Sequence, residues 1–264
     1  MRRASFILIL FALAISACSI KEDRTGVPCC LRVYYEDAEF NQTHRRTILS
    51  TQNGSQRISF DTLCIADYSP ADAFEVFMPK GYGKLSSIAG FEQTYFLGDS
   101  LLTRTGLGFD RIFAYASEPD CRWDTGRDYV RFSKQYCIIY IKPKTPVAGY
   151  YPYEMRIRSA TKGMDIYSLE PIKGEFYAFA SKNRDGTLSV IVPRQYDDSM
   201  MLDIMTPEGD TEASFQLGKM IRASGFDWNS VDLNDVVATI DYASMSIVVI
   251  VQDWDSEDFG EIII

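Results

Sequence analysis

Tyr136-Cys137-Ile138-Ile139-Tyr140-Ile141 is an almost wholly apolar run of six residues. It has the length of a strand, since a helix needs roughly 10–12 residues to show its period, and it fits a central strand buried on both faces. Shorter β-rich runs flank it on either side, separated by turn residues. Upstream, Leu31–Tyr35 and Arg57–Asp61 alternate, the second after an Asn53-Gly54 turn signal. Phe74–Met78 ends at Pro79, and Phe109–Ala116 and Val130–Phe132 continue the pattern. Downstream, Tyr153–Arg158 and Glu175–Ala180 alternate, and Asp185-Gly186 turns the chain into Leu188–Val192. Met200–Met205, Val236–Ile240 and Ile247–Val251 complete the set. Only Gln216–Ser224, between Phe215 and a Gly225 stop, reads as a helix.

The fold class is therefore all-β, most simply sandwiches. About fourteen strands exceed one sandwich. The sequence divides into a β-sandwich over 29–127 and a second over 128–254, with the break near Gly126–Tyr129 and the short helix in the second. Lys142–Pro152, with its prolines and glycine, is the alternative break. No internal repeat is visible.

At the N-terminus, Arg2-Arg3 precede an apolar run from Phe6 to Ile15, which ends in Ile15-Ser16-Ala17-Cys18. A basic start, a short apolar stretch and small residues before a cysteine make a secretory signal over 1–17, cleaved between Ala17 and Cys18. The run falls short of the roughly 20 apolar residues needed to span a bilayer. Cysteine at the cleavage point is the pattern of a bacterial lipoprotein, with S-diacylglyceryl and N-acyl groups on Cys18. Each buried methylene contributes roughly 0.8 kcal/mol, so two or three chains anchor stably. Residues 18–28 then form a lipidated tether.

The net charge is −9 over 264 residues, and losing Arg2 and Arg3 with the signal takes it to −11. That sign excludes a nucleic-acid partner, which needs a basic face. With Cys18 set aside, Cys29, Cys30, Cys64, Cys121 and Cys137 remain, an odd number. Cys29 and Cys30 are neighbours on a strand and point to opposite faces. Cys121–Cys137 is the favoured pair, closing a hairpin-like excursion. With no C-x-x-C and His44 as the sole histidine, a zinc site is not expected, and no cofactor is.

Catalytic signals are thin. No G-x-S-x-G, P-loop or HExxH occurs, and His44 sits in a polar stretch. Asp197-Asp198 and Asp255-Ser256-Glu257-Asp258 are paired acids without the spacing of a calcium loop. Tyr150-Tyr151-Pro152-Tyr153 would suit sugar stacking or an aromatic cluster, while Trp123, Trp228 and Trp254 are widely spaced. A non-enzymatic protein is expected.

Cys18-Ser19-Ile20-Lys21-Glu22-Asp23-Arg24, then Pro28-Cys29 and a strand, resembles the start of the FimB-type family, the minor-fimbria anchoring lipoproteins of type V pili in Bacteroidales. The C-terminal third is similar to the same family: Phe215-Gln216-Leu217-Gly218, Gly225-Phe226-Asp227-Trp228, Asp232-Leu233-Asn234-Asp235, Ile240-Asp241-Tyr242-Ala243 and Val251-Gln252-Asp253-Trp254. Tyr151-Pro152-Tyr153 and Gly174-Glu175-Phe176 also fit, and Asn41–Asp120 matches least. Where the family shows Cys-Pro-Cys, this chain has Val27-Pro28-Cys29-Cys30, so a disulfide from the family's first cysteine is not carried over.

The resemblance implies two tandem transthyretin-like β-sandwich domains and a place at the base of a fimbrium, with pilin subunits as partners. Pilins of this class polymerise when a strand of one subunit completes the sandwich of the next. Lys21-Glu22-Asp23 resembles the signal that sends such lipoproteins to the outer face of the outer membrane. In the tail, 255–264, an acidic stretch precedes Ile262-Ile263-Ile264, three isoleucines that need a groove in a neighbouring pilin or on their own domain. A fimbrial tip or adhesin subunit and a surface glycan-binding lipoprotein share these features. The glycan reading requires Tyr150, Tyr151 and Trp123 to converge on one open face.

Overall fold

The computed structural model describes residue 24 and residues 26–36, 45–62, 73–144, 153–241 and 246–252. Among these it is all-β, with four sheets and one short helix. β1 (Cys29–Tyr35) lies in the middle of a three-stranded sheet. It is antiparallel to β4 (Phe74–Met78) and parallel to β9 (Thr125–Val130). Facing this sheet is a five-stranded one made of β10 (Ser133–Lys134), β8 (Phe113–Ser117), β5 (Gly83–Ala89), β2 (Arg45–Thr51) and β3 (Arg57–Thr62). Strand alternation sends Cys29, Leu31, Val33 and Tyr35 inward against Leu49 and Leu85 of the opposing sheet.

The second sandwich starts at β11 (Tyr136–Lys144), the central strand expected from its apolar run. Beside it run β15 (Leu188–Pro193) with the short β14 (Ser181–Lys182), and on the other side β18 (Asp235–Asp241) with β19 (Ser246–Gln252). The opposing sheet is built on β12 (Glu154–Asp165), which pairs with β13 (Pro171–Phe179) and with β16 (Met201–Met205), itself paired with β17 (Thr211–Phe215). Both faces of β11 are covered. Cys137, Ile139 and Ile141 enter the core between these two sheets, while Tyr136 and Ile138 join a separate core that packs on the first sandwich. α1 (Leu217–Ala223) seals one end of the core with Leu217 and Ile221. It stops where Gly225 takes φ 87°, a left-handed position that a side chain would strain.

A hairpin from the first half of the chain completes the second. β6 (Tyr95–Leu97) and β7 (Ser100–Leu102) fall between β5 and β8 in sequence, yet β7 pairs with the end of β12, Leu101 opposite Met164. Gly163 permits this approach. A Cβ there would lie 2.1 Å from the Leu101 carbonyl oxygen. Leu101, Met164 and Ile166 then pack with Ile48 and Ile88 from the far face of the first sandwich.

Hydrogen bonding passes from the first pair of sheets to the second at Gln135. β9 and β10 still belong to the first, whereas the sequence reading broke the chain between 127 and 128. Around that point the Lys134 ammonium, almost fully buried, contacts Asp235 at 2.7 Å. The same carboxylate accepts the Ile138 N–H, and Asp232 accepts the Lys134 N–H. Arg194 spans Gln135 and the carbonyls of Trp228 and Ser230. Burial lowers the Arg194 pKa, partly offset by Asp227 and Asp232.

Removing one partner of a buried ion pair strands the other, at about 3–5 kcal/mol. Asp235→Ala is therefore expected to reduce unfolding free energy by about that amount in urea titrations. Replacing both charges, as Lys134→Met with Asp235→Leu, should recover most of the loss.

Candidate assembly surface

Among the described residues, several with catalytic or ligand-binding potential have structural partners. Asp197 accepts the Ser199 N–H and so fixes the turn into β16. Asp198 pairs with Arg222 of α1 at 2.9 Å. No group of three metal-ligating side chains occurs among the described residues. Trp228 is buried against Phe226, their rings 4.6 Å apart. Trp123 is 68% exposed. Tyr153 packs on the second core, so it does not extend a platform around Trp123. Tyr150, Tyr151, His44, Trp254, Asn41 and Cys64 lie outside the described residues.

The expected Cys121–Cys137 pair does not form. Cys121 is a free thiol in the first sandwich core, and Cys137 is a free thiol in the second. A cysteine facing inward on β11 cannot reach across to the other sandwich. Cys121 instead shares the first core with Cys29, and each shifts the other's pKa. Spacing along the chain concealed this pairing, because the two meet only once β1 is inserted beside β9.

β1 is the first strand among the described residues, and it is bonded along both edges. Cys30–Tyr35 runs in register with Thr125–Val130, and Cys29–Val33 with Met78–Phe74. The first sandwich thus has no vacant lane at β1. Ahead of β1, Arg24 is tied to the first sandwich, because Asp124 receives Lys80 at 2.6 Å and Arg24 at 2.7 Å. Those two cations lower the Asp124 pKa, Lys80 more than Arg24. Sequence reading missed this contact because Arg24 and Asp124 are far apart along the chain.

The outer face of this sheet carries Arg32 paired with Glu75 at 2.8 Å, Tyr34 stacked on Tyr129 at 5.0 Å, and Phe77, 64% exposed. In the second sandwich, β19 is the outermost strand of its sheet among the described residues, bonded to β18 from Ser246 to Gln252. Its outward side is where a further strand would be added. Ala17, Cys18, Ile262, Ile263 and Ile264, the expected lipidation and tail residues, lie outside the described residues.

No protein-family model matches the chain, and neither does any curated protein. Solved structures do. The fimbrial anchor protein Mfa2 from Porphyromonas gingivalis aligns with a TM-score of 0.56 at 10% identity, covering 84% of this chain and 95% of that one. A candidate polysaccharide-binding protein from Bacteroides thetaiotaomicron gives 0.57 at 12% identity, covering 86% and 96%. A candidate adhesin from Bacteroides ovatus gives 0.59 at 10% identity, covering 87% and 97%. The chain shares the all-β sandwich fold of these proteins, in line with the fimbrial-anchor family that its sequence resembles.

The Arg24 contact yields a test. Asp124→Asn should weaken the hold on Arg24 and speed tryptic cleavage after that residue, followed by mass spectrometry. In the unaltered chain the carboxylate's folded pKa is depressed, so the contact is present above the ordinary carboxylate range of about 4. It is lost as pH falls through the folded value. NMR signals of Gly26 and Val27 should sharpen over that interval.

Proposed function

We propose that this chain is the anchor subunit of a type V fimbrium, a lipoprotein held in the outer membrane through Cys18 and facing the cell exterior. The observation that carries the proposal is the seat of β1: the strand next to the tether fills the centre of its own sheet. A subunit whose first lane is already filled cannot accept a donor strand there, which suits the last member of a fibre. The outer edge of β19 or the residues after it would then offer a strand-addition site to the neighbouring pilin. The shared fold with a fimbrial anchor protein supports the same reading.

The acyl chains on Cys18 would hold the complex, with the polar residues 18–28 as spacer and the negative charge keeping the body off an anionic surface. A glycan-binding surface lipoprotein is the second reading. The exposed Trp123 and the candidate polysaccharide-binding neighbour favour it. A tip or adhesin subunit would share the fold and the partners.

Outer membranes run in SDS without boiling should show the protein in a high-mass ladder that collapses to one band on heating, because strand-complemented fibres resist SDS. A lone monomer band from cells bearing fimbriae would remove the pilus reading and favour glycan binding. Cys18→Ala should leave the precursor unprocessed and fimbriae shed into the medium. Deleting residues 255–264 should weaken fibre attachment while the protein stays folded. Unchanged attachment would assign the isoleucines to their own domain.

A further inference from the structure

We infer that Cys29 and Cys121 are joined by a disulfide in the exported protein. Both side chains are buried in the same core cluster of the first sandwich. Their backbones are positioned by one shared stretch of chain. Cys29 opens β1 opposite Met78, the end of β4. Just beyond Met78, Gly81 exchanges backbone hydrogen bonds with Cys121, 2.8 Å from the Cys121 N–H and 3.3 Å in return. On the far side, Gly126 leaves space for the sulfur. A Cβ there would lie 3.4 Å from the Cys29 Sγ and 3.1 Å from the Asp120 carbonyl oxygen.

The remaining described thiols are set apart. Cys30 points to the outer face of the same sheet, and Cys137 lies in the second core. A buried thiol pair gains little from any hydrogen bond, since sulfur is a weak donor and acceptor. Joining the sulfurs covalently closes a long loop and restricts the unfolded chain.

The step is a thiol–disulfide exchange with a protein disulfide of the exported compartment. One cysteine thiolate attacks that disulfide and forms a mixed disulfide. The second thiolate displaces the oxidant, which leaves as its dithiol carrying the two electrons and the two protons. Burial raises both pKa values, that of Cys121 to about 12, so exchange belongs to the folding chain, before the core closes. The bond would fasten the start of β1, the strand that carries the tether, to the segment leading into β9. The inference depends on the proposed function only for export, and its readout is a peptide mass, independent of whether fimbriae form.

The full chain is to be purified from the membranes of cells that produce it, with iodoacetamide present and no reductant, then digested for mass spectrometry. A Cys29–Cys121 linked peptide that disappears on reduction, with Cys137 alkylated only after denaturation, is the expected result. Cys30→Ser should keep the link, and Cys121→Ser should abolish it and lower the melting temperature measured without reductant. A native chain whose Cys29 and Cys121 both alkylate on denaturation overturns the proposal, as does Cys64 linked to either. Refolding that chain in oxidised glutathione locates the fault. A link formed there indicts the export step, and none formed indicts the geometry.

Discussion

The buried contact between Lys134 and Asp235 is the constraint on which the arrangement of the two sandwiches depends. Taking an ammonium and a carboxylate out of water costs several kcal/mol per ion, recovered only when the geometry is well defined. Here the definition comes from three further hydrogen bonds. Asp235 also holds the Ile138 N–H, Asp232 holds the Lys134 N–H, and the Gln135 N–H reaches the Ile112 carbonyl at 2.9 Å. One carboxylate thus ties β10 of the first sandwich to β11 and β18 of the second. Sliding one sandwich on the other would expose or separate these charges. The apolar cluster around Leu101 and Ile138 packs the same junction, and unlike the ion pair it tolerates small shifts in direction.

Strands were legible in the sequence where the core is made of apolar side chains, and illegible where it is not. β11, β15, β16 and β18 announce themselves because both or one of their faces is uniformly apolar. β2 and β5 are just as buried, yet their sequences, Arg45–Thr51 and Gly83–Ala89, mix basic, Ser and Thr residues. Some of their hydroxyls are paired inside: Tyr35 of β1 meets Thr47 at 2.6 Å, and Thr47 meets Ser87 at 2.9 Å. Arg45 lies over the Tyr35 ring at 4.0 Å, which shelters a guanidinium in the interior. A polar residue in a strand reads as solvent-facing unless its partner is known, and these partners come from distant strands. The same limit hid the β6–β7 hairpin and the Cys29–Cys121 neighbourhood.

The residues that carry the family resemblance have a plain structural meaning. Gly225-Phe226-Asp227-Trp228 ends the helix and stacks two rings under it, and the Trp228 carbonyl receives Arg194. Asp232-Leu233-Asn234-Asp235 supplies both carboxylates of the junction and a fully buried leucine. The C-terminal signature is therefore an account of how two sandwiches are joined. It speaks to fold, while the choice of partner rests on surfaces that such motifs do not include.

Where a partner strand can add follows from the free-energy difference between the two ends of the molecule. Expelling β1 would uncover Leu31, Val33 and Tyr35, each worth roughly 1.5–3 kcal/mol of apolar burial, and would break hydrogen bonds along both edges. An incoming strand would have to replace all of that before gaining anything. At β19 the sheet order of the described residues shows no ladder partner on the outer edge, so none of those strands need be displaced. Backbone groups there exchange water for an incoming strand, and side chains alternating along β19 supply the selectivity. The asymmetry favours strand addition at the β19 edge over the β1 lane, the polarity that the proposed anchor role requires.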